Sequence, residues 1–161
     1  MATLTVLKFP TADGADKMIS ILGDLQKQEL IKIQDAAIVS WIEGKKKPKT
    51  RQLYDLKALG ALDGAFWGML FGIIFFVPIF GMAIGAAMGA LSASFKDIGI
   101  NDDFIKDVRT KVTEGTSALF LLSTDAVVDR VAEVIKEIDF EIVATNLPKE
   151  QEEKLREMFV H

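Results

Sequence analysis

Gly64-Ala-Phe-Trp-Gly-Met-Leu-Phe-Gly-Ile-Ile-Phe-Phe-Val-Pro-Ile-Phe-Gly-Met-Ala-Ile-Gly-Ala-Ala-Met-Gly-Ala-Leu-Ser-Ala-Ser-Phe95 runs for 32 residues without a charged side chain. About 20 mostly apolar residues suffice for a membrane helix, so this stretch is long enough to meet lipid. Its position also governs how the rest of the chain is read. Of 161 residues, 50 % are apolar and 26 % are charged, with a mean hydropathy of +0.26. Those figures agree only because the apolar residues are clumped here, leaving polar sequence on both sides. The run is internal, so it is not a cleaved secretory signal. Met1-Ala-Thr-Leu-Thr-Val-Leu-Lys-Phe9 lacks a basic region followed by an apolar one. No export signal and no Cys suit a cytoplasmic location for the polar part.

Within the run, Gly60, Gly64, Gly68 and Gly72 recur every four residues, and Gly81, Gly85 and Gly89 resume the spacing beyond Pro78. Residues four apart share a helix face. Glycine costs about 1 kcal/mol in a helix interior relative to Ala, so two glycine stripes call for a physical reason. Close approach supplies it, because a face without side chains lets a second helix backbone dock. The face of the first arm opposite its stripe is expected to carry Phe66, Trp67, Phe71, Phe75 and Phe76, with Phe80 joining the apolar face, which suits lipid or a thick apolar core. Pro78 breaks an interior helix and pushes its predecessor out of the α region. The spacing therefore predicts a helical hairpin turning at Pro78. Each arm is roughly 25 Å long, slightly short for a hydrocarbon core of about 30 Å. The arms can cross a thin bilayer, dip in as a re-entrant hairpin, or pack into an oligomer.

The flanks read as two βαβ units. Thr3–Phe9 is a strand pattern, and Pro10-Thr-Ala-Asp13 starts a helix with Met18, Ile19, Leu22 and Leu25 at helical spacing. Asp35–Ile42 is the next strand, and Thr50–Leu56, after a lysine-rich turn, is a further strand able to extend the sheet. Past the run, Asn101-Asp-Asp103 opens a helix through Val112, with acidic residues suited to a helix N-terminus. Ser117–Ser123 is a strand. Thr124-Asp125 caps a helix with Val127, Val128, Val131, Val134, Ile135 and Ile138 inward, and Phe140–Thr145 closes the set. The expected class is α+β: a ferredoxin-like domain with an antiparallel sheet and an inserted apolar, glycine-rich helical hairpin. Residues 1–57 and 97–147 form the discontinuous domain, 58–96 the hairpin, and 148–161 a C-terminal amphipathic helix. If both units share one sheet, the two ends of the run emerge on the same side. The number of membrane crossings is then even or zero.

The segments Gly64–Gly72, Gly81-Met-Ala-Ile-Gly-Ala-Ala-Met-Gly-Ala-Leu91, Gly99-Ile-Asn-Asp-Asp-Phe-Ile-Lys106 and Ser117-Ala-Leu-Phe-Leu-Leu122, in that order, resemble a bacterial family of predicted membrane proteins of unknown function. It is a domain-of-unknown-function family with a glycine-zipper hairpin, and the resemblance runs from about Asp35 to the C-terminus. It implies membrane association and no assigned enzyme activity, and it brings no catalytic residue with it. The Lys45-Lys46-Lys47 cluster departs from it by being more basic.

Chemistry-bearing patterns are sparse. The missing Cys excludes a disulfide scaffold and a thiolate metal site, and the single His is residue 161. No Gly-x-Ser-x-Gly elbow is present, and the glycines sit four apart with no Lys-Ser/Thr following, unlike a phosphate loop. We therefore expect no catalytic residues, no cofactor and no metal, and a chain that is not an enzyme. Asp102, Asp103 and Asp107 read as a charged helix start before a cation site, and Asp63 as a residue at the mouth of the first arm.

The net charge of −4 argues against nucleic acid as partner. The exception to the acidic balance is local: Lys45, Lys46, Lys47, Lys49, Arg51 and Lys57 stand against Asp55. Basic residues beside an apolar run set cytoplasmic orientation and attract anionic lipid; equally, lysines protect an edge strand. The leading expectation is a membrane-associated homo-oligomer with its α/β domain on the cytoplasmic side. A soluble oligomer whose hairpins bury one another, and a small-ligand-sensing ferredoxin-like module, are the alternatives.

Overall fold

Alternating apolar residues make Thr3–Phe9 the first strand, β1, and the chain then turns into helix α1, Gly14–Lys27. Strands β2, Lys32–Ser40, and β3, Lys49–Gln52, form a hairpin. A π-helical turn, Gly72–Phe76, follows within the apolar run. Helix α2 spans Asp102–Lys111, β4 Ser117–Thr124, α3 Val128–Ile135, β5 Glu141–Thr145 and α4 Lys149–Met158. These elements come from a computed structural model that describes residues 3–46, 48–52, 67, 70–76, 100, 102–124, 128–136 and 138–158.

The strands form one five-stranded sheet in the order β3-β2-β4-β1-β5, with each neighbouring pair antiparallel. The α+β class holds, and β3 adds an edge strand to the four expected from two βαβ units. β2 begins three residues before the expected Asp35 and ends at Ser40, two short of Ile42. The early end has a local cause. On the β3 side the register puts Pro48, which has no N–H, opposite Trp41, while on the β4 side Trp41 stays bonded, its N–H to the Thr116 carbonyl at 2.9 Å and its carbonyl from Gly115 N–H at 2.6 Å.

Both faces of the sheet are covered, which explains why β4 reads as an unbroken apolar run. On the first face Leu7, Phe9, Ala36, Ile38, Leu119, Leu121 and Ile142 pack under Ala15, Met18, Leu22 and Leu25 of α1 and Val131 and Ile135 of α3. On the second, Leu4, Val6, Ala37, Val39, Ala118, Phe120 and Leu122 pack under Phe104, Ile105 and Val108 of α2 and under Trp67, Leu70, Phe71 and Ile74 of the apolar run. The run is therefore part of the domain's own core over these residues.

Two β-bulges set which side chains reach each face. The β2–β4 register shifts between Ile33 and Asp35, leaving Gln34 as the extra residue. Side chains alternate along a strand, so without the bulge Ile33 and Asp35 would share a face. With it, Ile33 packs under α1 and Asp35 turns to the second face. The Gln26 side chain of α1 accepts from Ile33 N–H at 2.6 Å and holds the irregular backbone. A second register shift, opposite Val6 and Leu7, does the same for β5 around Val143.

The start of α1 uses a cap the local sequence does not contain. Asp13 stands at the N-cap position but makes no side-chain cap hydrogen bond. Its carboxylate instead accepts from the Thr11 hydroxyl at 2.8 Å, and that bond, aided by the Lys17 ammonium, holds it below the usual carboxylate range. The cap is Ser117 of β4, whose buried hydroxyl accepts from Ala15 N–H at 3.0 Å and donates to the Thr11 carbonyl at 2.7 Å. At the same place Gly14 lies on Phe9: an added Cβ would overlap the Phe9 Cβ and come within 2.9 Å of its Cγ. Gly14→Ala is therefore expected to destabilise the protein by about 1–3 kcal/mol through overpacking. Alanine's helix preference offsets little of this at a first helical residue. Urea denaturation of the variant against wild type measures it.

Candidate functional site

The most distinctive construction in the molecule is where the apolar run meets the sheet. Trp67, Leu70, Phe71 and Ile74 follow the i, i+3, i+4, i+7 spacing of one helix face, and all four are buried. Trp67 and Phe71 stack with centroids 5.5 Å apart, and Phe120 of β4 meets both edge-on, at 6.1 and 5.0 Å. Such aromatic contacts add about 0.5–1.5 kcal/mol each beyond buried area. The Trp67 indole N–H donates to Asp35 Oδ2 at 2.8 Å, while Asp35 Oδ1 accepts from Ala36 N–H at the same distance. Asp35 is completely buried. A buried carboxylate is tolerated only when hydrogen-bonded, so this pair fixes one rotation of the arm over the sheet.

Further along, Phe75 is half-buried, and its ring meets the Trp41 ring edge-on at 6.2 Å. The same stretch adopts the wider π-helical turn, a form that recurs at functional positions. Gly72 opens that turn, and a Cβ added to it would meet no described atom within 4 Å. Its glycine is thus not required by packing within the described residues.

Of the residues expected from sequence to matter, the structure brings Trp67 and Phe71 together in the core and sets Phe75 at its edge. Lys45, Lys46, Lys49 and Arg51 lie on the β2–β3 turn and on β3, exposed, with Arg51 paired to Asp16. The expected helix-packing residues Gly60, Gly64, Gly68, Gly81, Gly85 and Gly89 fall outside the described residues, as do Pro78, Phe66, Phe80, Lys47, Lys57 and Asp63, together with the Phe76 side chain. Among the described residues no helix is long and apolar enough to cross a membrane.

Among the described residues no group of three or more His, Cys, Asp or Glu can hold a metal ion. Asp103 and Asp107 line a shallow groove of about 380 Å³ with Asn146, Lys149 and Glu152. A second, smaller pocket of about 100 Å³ lies under α1 and α3 and is apolar except for Thr5.

Three residues central to this construction were not singled out by sequence reasoning: Asp35, Trp41 and Phe120. The signal for Asp35 was present, as the one carboxylate at the head of the apolar stretch Ala36-Ala-Ile-Val39. Its meaning depended on a bulge that periodicity does not reveal.

No curated protein and no solved structure matches the chain. A family model does, over residues 61–160, beginning later than the resemblance from Asp35 suggested. That span holds the docked aromatic segment and β4 with Phe120, so the contact between them lies wholly inside the family's match. The match covers more than half of the chain, and the chain belongs to the family described as protein of unknown function (DUF1269).

Proposed function

We propose that this is a non-enzymatic, membrane-associated protein that self-assembles along the glycine stripes of an apolar helical hairpin inserted in a ferredoxin-like domain. The carrying observation is how the run is docked. Its aromatic face is taken up by the sheet, while the Gly68–Gly72 stripe is offset from Trp67 and Phe71 by one residue, about 100° around a helix. Helical spacing thus sets the stripe apart from the aromatic face, which suits docking of a partner helix, and a Cβ added at Gly72 would meet no described atom within 4 Å. Without β3, the order β2-β4-β1-β5, with α1 and α3 on one face, supports the ferredoxin-like reading.

The sheet also limits how the run meets lipid. β2 and β4, on either side of it in sequence, are hydrogen-bonded neighbours. An odd number of crossings would put them on opposite sides of the bilayer. With Trp67, Leu70, Phe71 and Ile74 held on the sheet, the uncharged sequence beyond the docked residues is 77–95. As helix, those 19 residues span roughly 28 Å, too little to cross a hydrocarbon core of about 30 Å and return. The proposal is therefore a dip into one leaflet, with the α+β domain on the cytoplasmic side.

Membrane flotation of the full chain, followed by mass measurement of the purified particle, tests this. Co-flotation with lipid and resistance to carbonate extraction are expected, and a detergent-free soluble monomer would end the proposal. Gly68→Leu and Gly85→Leu are expected to shift the particle mass toward the monomer while the far-ultraviolet circular dichroism stays unchanged. Unaltered particle mass in both variants would remove the packing role. One observation favours a second reading, a soluble oligomer whose hairpins bury one another: the protein's own core already shelters Trp67, Leu70, Phe71 and Ile74 from water. In that case a large particle remains in the supernatant.

A further inference from the structure

We propose that the turn from Trp41 to Lys46, backed by Phe75, is an anchor for the anionic phospholipid surface of a bilayer. The inference rests on the membrane reading above and names the lipid class and the residues that meet it.

The turn is built stiff. Besides its two backbone bonds to Gly115 and Thr116, Trp41 donates its indole N–H to the Lys45 carbonyl at 2.9 Å, and Lys45 N–H donates to the Ile42 carbonyl at 3.1 Å. Gly44 sits at φ +89°, in the left-handed region that favours glycine, which lets the chain reverse there. Around this frame the side chains of Ile42, Lys45 and Lys46 are turned to the surface. Ile42 is 54 % exposed, next to exposed Lys45 and Lys46. The Trp41 ring is half-buried against Phe75. An indole at the edge of an apolar surface, an outward Ile and flanking ammonium groups match the depth profile of a bilayer interface: apolar below, phosphate above.

Charge selects the kind of membrane. Residues 41–51 carry a net +4, so the remaining chain carries −8. Arg51 is drawn to Asp16, which leaves the lysines as the outward charge. A net acidic protein is repelled by an anionic bilayer over its acidic surface, and this basic turn supplies an attractive approach. Position completes the case. Phe75 meets the Trp41 ring here, and in sequence it lies two residues before the uncharged stretch 77–95. The basic turn therefore stands beside the segment that leads in sequence into that stretch.

The test is co-sedimentation of the full chain with vesicles of phosphatidylcholine alone and of phosphatidylcholine with phosphatidylglycerol. Wild type is expected to partition onto the anionic vesicles at least about tenfold better at ~0.1 M salt, an advantage that collapses at ~1 M salt. Lys45→Glu with Lys46→Glu is expected to abolish that advantage, and Ile42→Ser to weaken partition on both vesicles about threefold. In a Trp67→Phe background, Trp41 is the only indole left and brominated lipid is expected to quench it. If that variant does not fold, the charge substitutions and the salt dependence decide alone. Equal partition of wild type on both vesicles overturns the anchor while leaving membrane association in place. Binding to neither overturns both. Binding to RNA that the lysine substitutions abolish, without any vesicle preference, overturns the anchor in favour of a polyanion site.

Discussion

Trp67→Ala is expected to lower the stability of the protein by about 3–5 kcal/mol, the range for removing a buried tryptophan. Three losses combine. The stacked contact with Phe71 and the edge-on contact with Phe120 both disappear. The apolar volume under the arm is emptied next to Leu70 and Ile74, which have little freedom to collapse into it. And Asp35, fully buried, loses the indole donor on Oδ2. Trp67→Phe narrows this down, because it keeps an aromatic ring near Phe71 and Phe120 while removing the N–H and part of the indole volume. Its expected cost is about 1–3 kcal/mol, from the lost donor to Asp35 and the smaller ring. For a chain of this size the alanine variant shifts the melting temperature down by about 10 °C. Thermal unfolding measures that shift, and a rise in dye binding to apolar surface reports the undocked arm. If Trp67→Ala melts as wild type does, the run is not held on the sheet in solution and the docked arrangement is wrong.

Part of this arrangement was legible before any coordinates. The strand patterns at Thr3–Phe9 and Ser117–Ser123 and the helical spacing of Met18, Leu22 and Leu25 are local signals, and the elements appear where those signals place them. The α+β class follows from their order. The features that build the candidate site are not local. The α1 cap comes from Ser117, 102 residues from the Ala15 N–H it accepts. The Gln34 bulge is invisible to a period-two reading, yet it turns Asp35 from one face of the sheet to the other. The aromatic face of the apolar run fits lipid and a protein core equally well by composition, because both are apolar environments. Only the shape of the second sheet face, with Phe120 at its centre and the buried Asp35 beside it, says which of them Trp67 and Phe71 meet.

Phe120→Ala is expected to match Trp67→Ala in size, at about 3–5 kcal/mol, and comparing the two separates docking from assembly. Phe120 is fully buried on β4. It is the platform on which both Trp67 and Phe71 rest edge-on, with Phe71 the closer at 5.0 Å. Its strand is also the central one, paired to β1 on one side and β2 on the other. A cavity here is flanked by ladders that resist collapse, which places the expected loss at the upper end of the range. Because Phe120 and Trp67 touch, the double variant should lose less than the sum of the two singles, by about 0.5–1.5 kcal/mol. Full additivity in a double-mutant cycle would mean that the rings do not interact in solution. In the proposed arrangement the glycine stripe serves assembly and takes no part in this contact. Phe120→Ala should therefore lower the unfolding midpoint while folded molecules keep the wild-type particle mass, whereas Gly68→Leu should do the reverse. A single variant that changes both together would show that the arm docks and assembles through one surface, and the division proposed between its aromatic and glycine faces would fall.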